Sequence, residues 1–308
     1  MTRSNQRQKS TIISPYIQAL RPRQWTKNLI VFAAPLFAFQ IDAITLFKTI
    51  LTYVFFCSIS SSFYLINDII DVEADRQHPT KCKRPIASGK VKVPTATLMA
   101  AILLGLAIVG SYILSQDLGL TIMTYALLQV GYNLKFKRVV ILDIMSIAIG
   151  FVLRAIGGGV ANQIHISSWF ILCTAMLALF LGIEKRKAEL RKMSGSHGKT
   201  RSVLKQYTHK FLERMEGIVT SGTIITYAIW CSGPMLGGAS TRWMLLTFPF
   251  VLYGLFRYQL LSDPDAIEEK TEKPEEILLT DYSILLTVIL WIITIFLILY
   301  CKHLGIIS

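Results

Sequence analysis

The chain has 308 residues, of which 53% are hydrophobic and only 17% are charged, and its formal net charge is +13 at pH 7. A soluble domain usually carries about 25% charged residues, so this composition excludes an ordinary soluble domain. The excess of positive charge favours anionic lipid headgroups and anionic substrates as partners. Nucleic acid is not an expected partner, because no basic stretch belongs to a soluble domain.

Nine apolar segments follow one another along the chain, and each predicts a membrane-spanning helix. A helix needs roughly 20 apolar residues to cross about 30 Å of hydrocarbon. Five segments contain no Asp, Glu, Lys or Arg: 93–116, 118–134, 166–183, 217–241 and 282–301. Four are less uniform: a first helix that begins near Pro22 and ends near Phe39, then 49–66, 139–161 and 243–261. The sequence therefore predicts an all-α polytopic membrane protein with nine transmembrane helices.

The distribution of basic residues predicts the orientation of these helices. If the N-terminus is cytoplasmic, 28 of the 32 Lys and Arg residues fall on the cytoplasmic side, where loops are enriched in them. The C-terminus is then outside, and the protein lies in the cell inner (cytoplasmic) membrane. Residues 1–28 are expected to form a cytoplasmic segment with an interfacial helix, and 29–308 the nine-helix domain. Because the long, charged connections lie on the cytoplasmic side, we expect a cavity that opens there.

A cluster of acidic residues ends the second predicted span. Asp68, Asp71 and Asp75 are spaced i, i+3 and i+7, which places them on one helical face. Asn67 belongs to an overlapping stripe, and hard oxygen ligands of this kind suit Mg²⁺. The alternative is a helix end whose acids meet water or pair with the basic residues of segment 81–84. We favour the metal site, because ionisable residues at the mouth of a membrane span mark functional sites by default.

A second polar face follows the next cytoplasmic connection. Asp143, Ser146, Gly150 and Arg154 lie on one side of a predicted helix, with Arg154 about 16 Å deeper than Asp143. A charged side chain at such a depth costs at least about 2.5 kcal/mol unless it meets a partner or water. Two interpretations stay open: a structural pairing of Arg154 with Asp143 or with backbone carbonyls, or an aqueous pocket in which Arg154 holds an anion.

Basic residues also follow the sixth predicted span. The stretch Glu184–Lys192 has the sequence EKRKAELRK, and most of its basic residues are explained as topology determinants. Lys185 and Arg186 lie nearest the membrane, so these two are positioned to reach a bound phosphate.

Three of these motifs together resemble the UbiA superfamily. They are N-D-x-x-D-x-x-x-D at Asn67–Asp75, RPIASG at Arg84–Gly89, and Tyr132 with Lys135 three positions later, followed by an aspartate. Members of that superfamily are nine-helix membrane enzymes that transfer a group from a Mg²⁺-bound diphosphate to an acceptor. The resemblance implies the same fold and a Mg²⁺ cofactor for this chain.

Finer details resemble the branch of the superfamily that acts on phosphoribose. They are RPRQWTKN at Arg21–Asn28, HPTKCKRPIASG at His78–Gly89 and KRKAEL at Lys185–Leu190. The second motif of the aromatic prenyltransferases, D-x-x-x-D, is missing from the later cytoplasmic loop. The resemblance implies transfer of 5-phosphoribose from phosphoribosyl pyrophosphate to a polyprenyl phosphate in the lipid bilayer, which yields a lipid-linked phosphoribose for cell-envelope synthesis.

Two alternative functions remain beside that one. The first is a prenyltransferase of the same superfamily, which moves a polyprenyl group from its diphosphate to an aromatic or other acceptor. The second is an ion-coupled transporter, which is disfavoured because the acids lie at cytoplasmic helix ends rather than near the membrane midplane.

The site residues that the motifs and the resemblance imply fall into three groups. The metal ligands are Asn67, Asp68, Asp71 and Asp75. The catalytic residues are Asp71, Asp75 and Asp143. The substrate-binding residues are Lys27, Lys83, Arg84, Tyr132, Lys135, Arg154, Lys185 and Arg186. Asp143 has two open roles, holding ribose hydroxyls or orienting a cation. No general base is expected, because a lipid phosphate is already an anionic nucleophile.

Overall fold

The computed structural model describes residues 14–195, 202–263 and 280–307. Within these ranges every regular element is a helix and no strand occurs, which confirms the all-α prediction. Parts of three predicted cytoplasmic segments, namely 1–13, 196–201 and 264–279, lie outside the described residues.

Eleven α-helices are described, numbered α1 to α11 in chain order. They are Pro15–Ala19, Ala33–Ala38, Ala43–Ile70, Val72–Arg76, Val93–Leu114, Gln116–Leu134, Leu142–Val160, Ser168–Gly195, His209–Cys231, Phe248–Ser262 and Tyr282–His303. A 3₁₀ helix at Pro22–Phe32 runs directly into α2, and another at Arg242–Thr247 runs directly into α10. α1 begins with proline at its first position after Ser14, where the missing N–H of proline costs no helical hydrogen bond.

Six helices of the described chain are long and apolar enough to cross a membrane. They are α3, α5, α7, α8 as far as Arg191, the run Arg242–Ser262 that contains α10, and α11. These coincide with six of the nine predicted spans. The other three predicted spans coincide with helical segments that are shorter or more polar: the 3₁₀ helix with α2, then α6 and α9.

Close packing fixes the 3₁₀ helix Pro22–Phe32 against α7. The sequence places three consecutive glycines near the end of α7, and a Cβ added at the middle one, Gly158, would lie only 1.9 Å from the backbone oxygen of Val31. Glycine is therefore required at this crossing. Further along the chain, α3 packs against α5, α7 against α8, and α8 against α9.

Four helix termini lie on one side of the bundle. α3, α6 and α8 end there and α7 begins there, because long helices joined by short connections alternate in direction. The acidic motif and Asp143, the first residue of the second polar face, both sit at these termini, whereas Arg154 lies about three turns further along α7. The fold thus brings together segments that are far apart in the sequence.

The helix that carries the acidic motif is interrupted. The spacing predicted one continuous helical face, but α3 ends at Ile70 and α4 begins at Val72. Asp71, between them, has φ −89° and ψ 6°, a conformation that is sparsely populated and common at functional residues. Asp75 therefore stands on a different helix from Asp68.

Candidate active site

Asp68 and Asp75 are both buried and share one arginine. Arg84 Nη1 donates to Oδ1 of Asp68 at 3.0 Å and to Oδ2 of Asp75 at 2.6 Å. Lys81 Nζ lies 3.9 Å from the other oxygen of Asp75. The two carboxylates thus lie on one side of the interrupted helix. For these two acids the structure shows ion pairing with segment 81–84, which the sequence analysis gave as the alternative to metal binding.

Arg21 is a second partner of Asp68, and the sequence did not single it out as a site residue. Its Nη2 donates to Asp68 Oδ1 at 2.6 Å, and its guanidinium carbon lies 4.9 Å from the centre of the Tyr64 ring. Arg21 has φ 56°, which is uncommon for a residue other than glycine. Nearby, Trp25 Nε1 donates to Ser61 Oγ at 3.0 Å. The start of the 3₁₀ helix Pro22–Phe32 and the residue before it are therefore docked onto α3.

Asp71 and Asn67 have different surroundings from the two paired acids. Asp71 is half-buried, and its carboxylate has no hydrogen bond or ion pair within the described ranges. Asn67 Nδ2 donates to Oδ1 of Asn133 at 3.1 Å, which ties the end of α3 to the end of α6. Asp71 is the carboxylate of the motif that can accept a ligand without losing a bond.

Asp143 is fully buried, and both of its oxygens are bonded. Arg186 Nε donates to Oδ2 at 2.7 Å and the Tyr207 hydroxyl donates to Oδ1 at 2.6 Å. The Tyr207 oxygen also accepts the N–H of Ile141 at 2.7 Å. Burial and the hydrogen bond to Asp143 raise the pKa of Tyr207, so its hydroxyl remains protonated at neutral pH. Of the two open roles for Asp143, this geometry favours orienting a cation.

Arg186 is the cation that Asp143 contacts. Its side chain has no exposed surface, Nη1 donates to Glu189 one turn later, and Nη2 is buried with no acceptor in the described part of the chain. Tyr132, at the end of α6, lies near Arg186. Tyr132 directly precedes Asn133, so the end of α6 connects the acids of α3 with Arg186.

Arg154 belongs to a separate buried network. Nε donates to Asn28 Oδ1 at 2.6 Å, Nη1 to the Gly150 carbonyl at 2.7 Å and Nη2 to the Tyr125 hydroxyl at 2.7 Å. The guanidinium carbon also lies 4.7 Å from the centre of the Tyr125 ring. The structure thus shows the pairing with a backbone carbonyl, whereas Asp143 is bound to other groups. Binding of an anion by Arg154 stays a prediction.

The remaining predicted substrate-binding residues differ in exposure. Lys83 and Lys135 are exposed, whereas Lys27 and Lys185 are half-buried. Lys27 directly precedes Asn28, the partner of Arg154, so it lies close along the chain to a bonded site residue. Contact of these four lysines with a substrate stays a prediction.

The end of α3 fits a magnesium ion in its donor chemistry. Asn67, Asp68, Asp71 and Asp75 offer carboxylate and amide oxygens, which are the ligands that Mg²⁺ takes from proteins. In the ranges that the structure describes, no three His, Cys, Asp or Glu side chains are grouped closely enough to form a metal site. Two of the carboxylates are bonded to arginine instead, so binding through them requires these ion pairs to open.

Replacing Tyr207 by phenylalanine is expected to destabilise the helix ends around Asp143. The change removes the donor to Asp143 and the acceptor of the Ile141 N–H, and each buried polar group left unpaired costs about 1–3 kcal/mol. Thermal unfolding of the purified protein in detergent measures the effect. Tyr282→Phe is the matched control, because Tyr282 is 77% exposed. Equal stability of both variants would contradict the hydrogen bond between Tyr207 and Asp143.

The fold and these clusters agree with a known class of membrane protein. Residues 28–273 match the UbiA prenyltransferase family. Because the match covers most of the chain, the chain belongs to this family of membrane transferases, as the sequence motifs predicted. Together with the six apolar helices, family membership makes it an integral membrane protein.

Individual relatives are similar over nearly the whole chain. The chain is 37% identical to the decaprenyl-phosphate phosphoribosyltransferase of Mycolicibacterium smegmatis over 297 residues, which covers 92% of each protein. It is 36% identical to the decaprenyl-phosphate phosphoribosyltransferase of Corynebacterium glutamicum, over 92% of this chain and 86% of the relative. Its fold is similar to that of a UbiA homologue from Archaeoglobus fulgidus bound to DMAPP and Mg²⁺, with a TM-score of 0.69 and 19% identity over 92% of this chain and 98% of that one.

Proposed function

We propose that this protein transfers 5-phosphoribose from phosphoribosyl pyrophosphate to a polyprenyl phosphate, with Mg²⁺ as cofactor. The observation that carries the proposal is the identity of 33–37% to relatives named for this reaction, over at least 92% of the chain. The product is a lipid-linked phosphoribose of the kind that cell-envelope synthesis consumes.

The reaction breaks the bond between C1 of the ribose and the diphosphate, and forms a new bond from C1 to an oxygen of the lipid phosphate. Negative charge builds up on the diphosphate that leaves, and bound Mg²⁺ supplies neutralising positive charge. Asp71 and Asp75, with Asn67 or Asp68, are the residues that would hold the metal. The lipid phosphate is already anionic, so the protein needs no general base.

The arginines bonded to the acids supply the contacts for the diphosphate. Arg21 and Arg84 donate to Asp68 and Asp75, and phosphate oxygens are acceptors of the same kind as carboxylate oxygens. If Asp68 and Asp75 turn to the metal, both guanidinium groups are released to donate to the diphosphate. This exchange keeps these two acids and both arginines paired before and after the substrate enters.

We also propose that nine helices cross the inner membrane around a cavity open to the cytoplasm, with the N-terminus inside and the C-terminus outside. The distribution of Lys and Arg supports this orientation. The position of the acidic motif and of Asp143 at helix ends on one side of the bundle supports the cavity. In this arrangement residues 1–28 form the cytoplasmic segment and 29–308 the transferase domain.

A prenyltransferase acting on an aromatic or other acceptor is the second candidate. The likeness in fold to the Archaeoglobus fulgidus homologue bound to DMAPP and Mg²⁺ favours it. The absence of a second D-x-x-x-D motif from the sequence speaks against it, as does the higher identity to the phosphoribosyltransferases.

A transfer assay separates the two functions. The full chain in liposomes is given polyprenyl phosphate, Mg²⁺ and phosphoribosyl pyrophosphate labelled in the ribose, and label in the lipid phase is measured. We expect label to enter the lipid and chelation of Mg²⁺ to stop it. Parallel liposomes receive a labelled prenyl diphosphate and an aromatic acceptor. Transfer in these liposomes alone would replace the proposed function by the second candidate.

A further inference from the structure

Arg186 has an incomplete set of hydrogen bonds although it is buried. Nε donates to Asp143 and Nη1 donates to Glu189, but Nη2 has no acceptor within the described residues. A buried donor on a charged group that lacks a partner is unfavourable, because it has lost its hydrogen bonds to water. Such a group in a native protein calls for an acceptor, and a bound molecule can provide it.

The charge around Arg186 indicates what kind of acceptor fits. One guanidinium is in contact with two carboxylates, those of Asp143 and Glu189, so the three groups together carry a net negative charge. A phosphate brought to the same place would be repelled by the acids. A hydroxyl group has no charge and can both accept a hydrogen bond from Nη2 and donate one to a carboxylate.

Glu189 is the member of this group that is able to receive the donated bond. Its side chain is 22% exposed, whereas Asp143 has no exposed surface. Both oxygens of Asp143 are already bonded, to Arg186 and Tyr207. Asp143 and Tyr207 therefore act as positioning residues that hold the guanidinium, and Glu189 offers the accessible carboxylate.

We propose that Arg186 and Glu189 together bind a hydroxyl of the ribose in the donor substrate. The proposal rests on the proposed function and deepens it, because a prenyl diphosphate has no hydroxyl to place there. Arg186 lies near Tyr132 at the end of α6, and Asn133 next to it is bonded to Asn67 in the acidic motif. The sugar site thus adjoins the end of the bundle that holds the acids. Its chemistry selects a pentose donor over an isoprenoid donor.

Binding measurements with two ligands test the proposal. Dissociation constants for phosphoribosyl pyrophosphate and for inorganic pyrophosphate, both with Mg²⁺, are determined for the wild type, Glu189→Gln and Glu213→Gln. Glu213 is an exposed glutamate near the start of α9 and serves as the matched control. We expect Glu189→Gln to weaken phosphoribosyl pyrophosphate about tenfold or more. Pyrophosphate, which lacks the sugar, should keep its affinity, and the control should change neither value.

Equal weakening of both ligands in Glu189→Gln, or no weakening of either, would overturn the ribose site. A second measurement needs no variant: the wild type should bind an analogue of the donor without the 2- and 3-hydroxyls about tenfold less tightly than the donor itself. Equal affinity for the two would again overturn the proposal. If the wild type binds phosphoribosyl pyrophosphate no more tightly than pyrophosphate, the proposed function itself fails. The two failures are therefore distinguishable.

Discussion

Asp71→Asn is expected to abolish Mg²⁺-dependent transfer while the protein stays folded and inserted. Loss of one preorganised electrostatic contact in an active site lowers kcat by about 10²–10³-fold. Because the Asp71 carboxylate has no partner in the described structure, its replacement breaks no bond of the fold. We therefore expect the initial rate at saturating Mg²⁺ to be lost. The thermal unfolding temperature in detergent should stay that of the wild type.

Glu73→Gln provides the charge-matched control for Asp71→Asn. Glu73 lies two residues away, is 77% exposed and is paired with Arg76 on the surface, so an ion pair of this kind contributes little. A variant of Glu73 as inactive as Asp71→Asn would show that general negative charge, and not a ligand position, is what matters. Full activity in Asp71→Asn would remove this aspartate from the metal site.

Arg154→Ala is expected to lower stability by several kcal/mol. The change leaves Asn28 Oδ1 without its donor, at about 1–3 kcal/mol for an unpaired buried group. The Tyr125 hydroxyl also loses a donor but keeps the bond from Gln129 Nε2. The substitution also opens a cavity in a close-packed region, which adds to the loss. The fraction of protein that remains monodisperse after heating in detergent measures the effect.

Arg257→Ala is the comparison for Arg154→Ala. Arg257 pairs with Asp281 at 2.9 Å, but its side chain is 31% exposed, and pairs of this kind contribute about 0–1 kcal/mol. If Arg154→Ala kept the stability of the wild type and lost affinity for pyrophosphate, Arg154 would be a substrate contact, as the sequence predicted. If Arg154→Ala loses stability and Arg257→Ala does not, Arg154 has a structural role in the fold.

The sequence was sufficient to predict the long apolar helices, because hydrophobic length is a local property that a single segment displays. It also predicted that Asp68 and Asp75 lie on one side, since their separation of seven residues corresponds to two helical turns. It did not predict the interruption at Asp71, which has no glycine or proline to mark it. No pattern within the motif encodes this break.

The partners of the buried charges were beyond what sequence spacing can show. Arg21 is 47 residues from Asp68, and Tyr207 is 64 residues from Asp143. Helical periodicity relates residues a few turns apart, so contacts between helices leave no trace in it. Arg21 belongs to the basic segment 21–27, in which four basic or aromatic residues are equally good candidates for a contact with Asp68. Only the fold distinguishes the one that reaches Asp68.

Because Gly158 packs closely against Val31, the N-terminal part of the described chain is held against the candidate active site. The 3₁₀ helix pinned at that crossing also brings Asn28 to one buried network, and Arg21 at its start reaches the acidic motif. A tether that pulls on α1 would therefore act on Arg21 and, through its ion pair, on Asp68. A purification tag is better placed at the far terminus, where no such linkage to the acids is described.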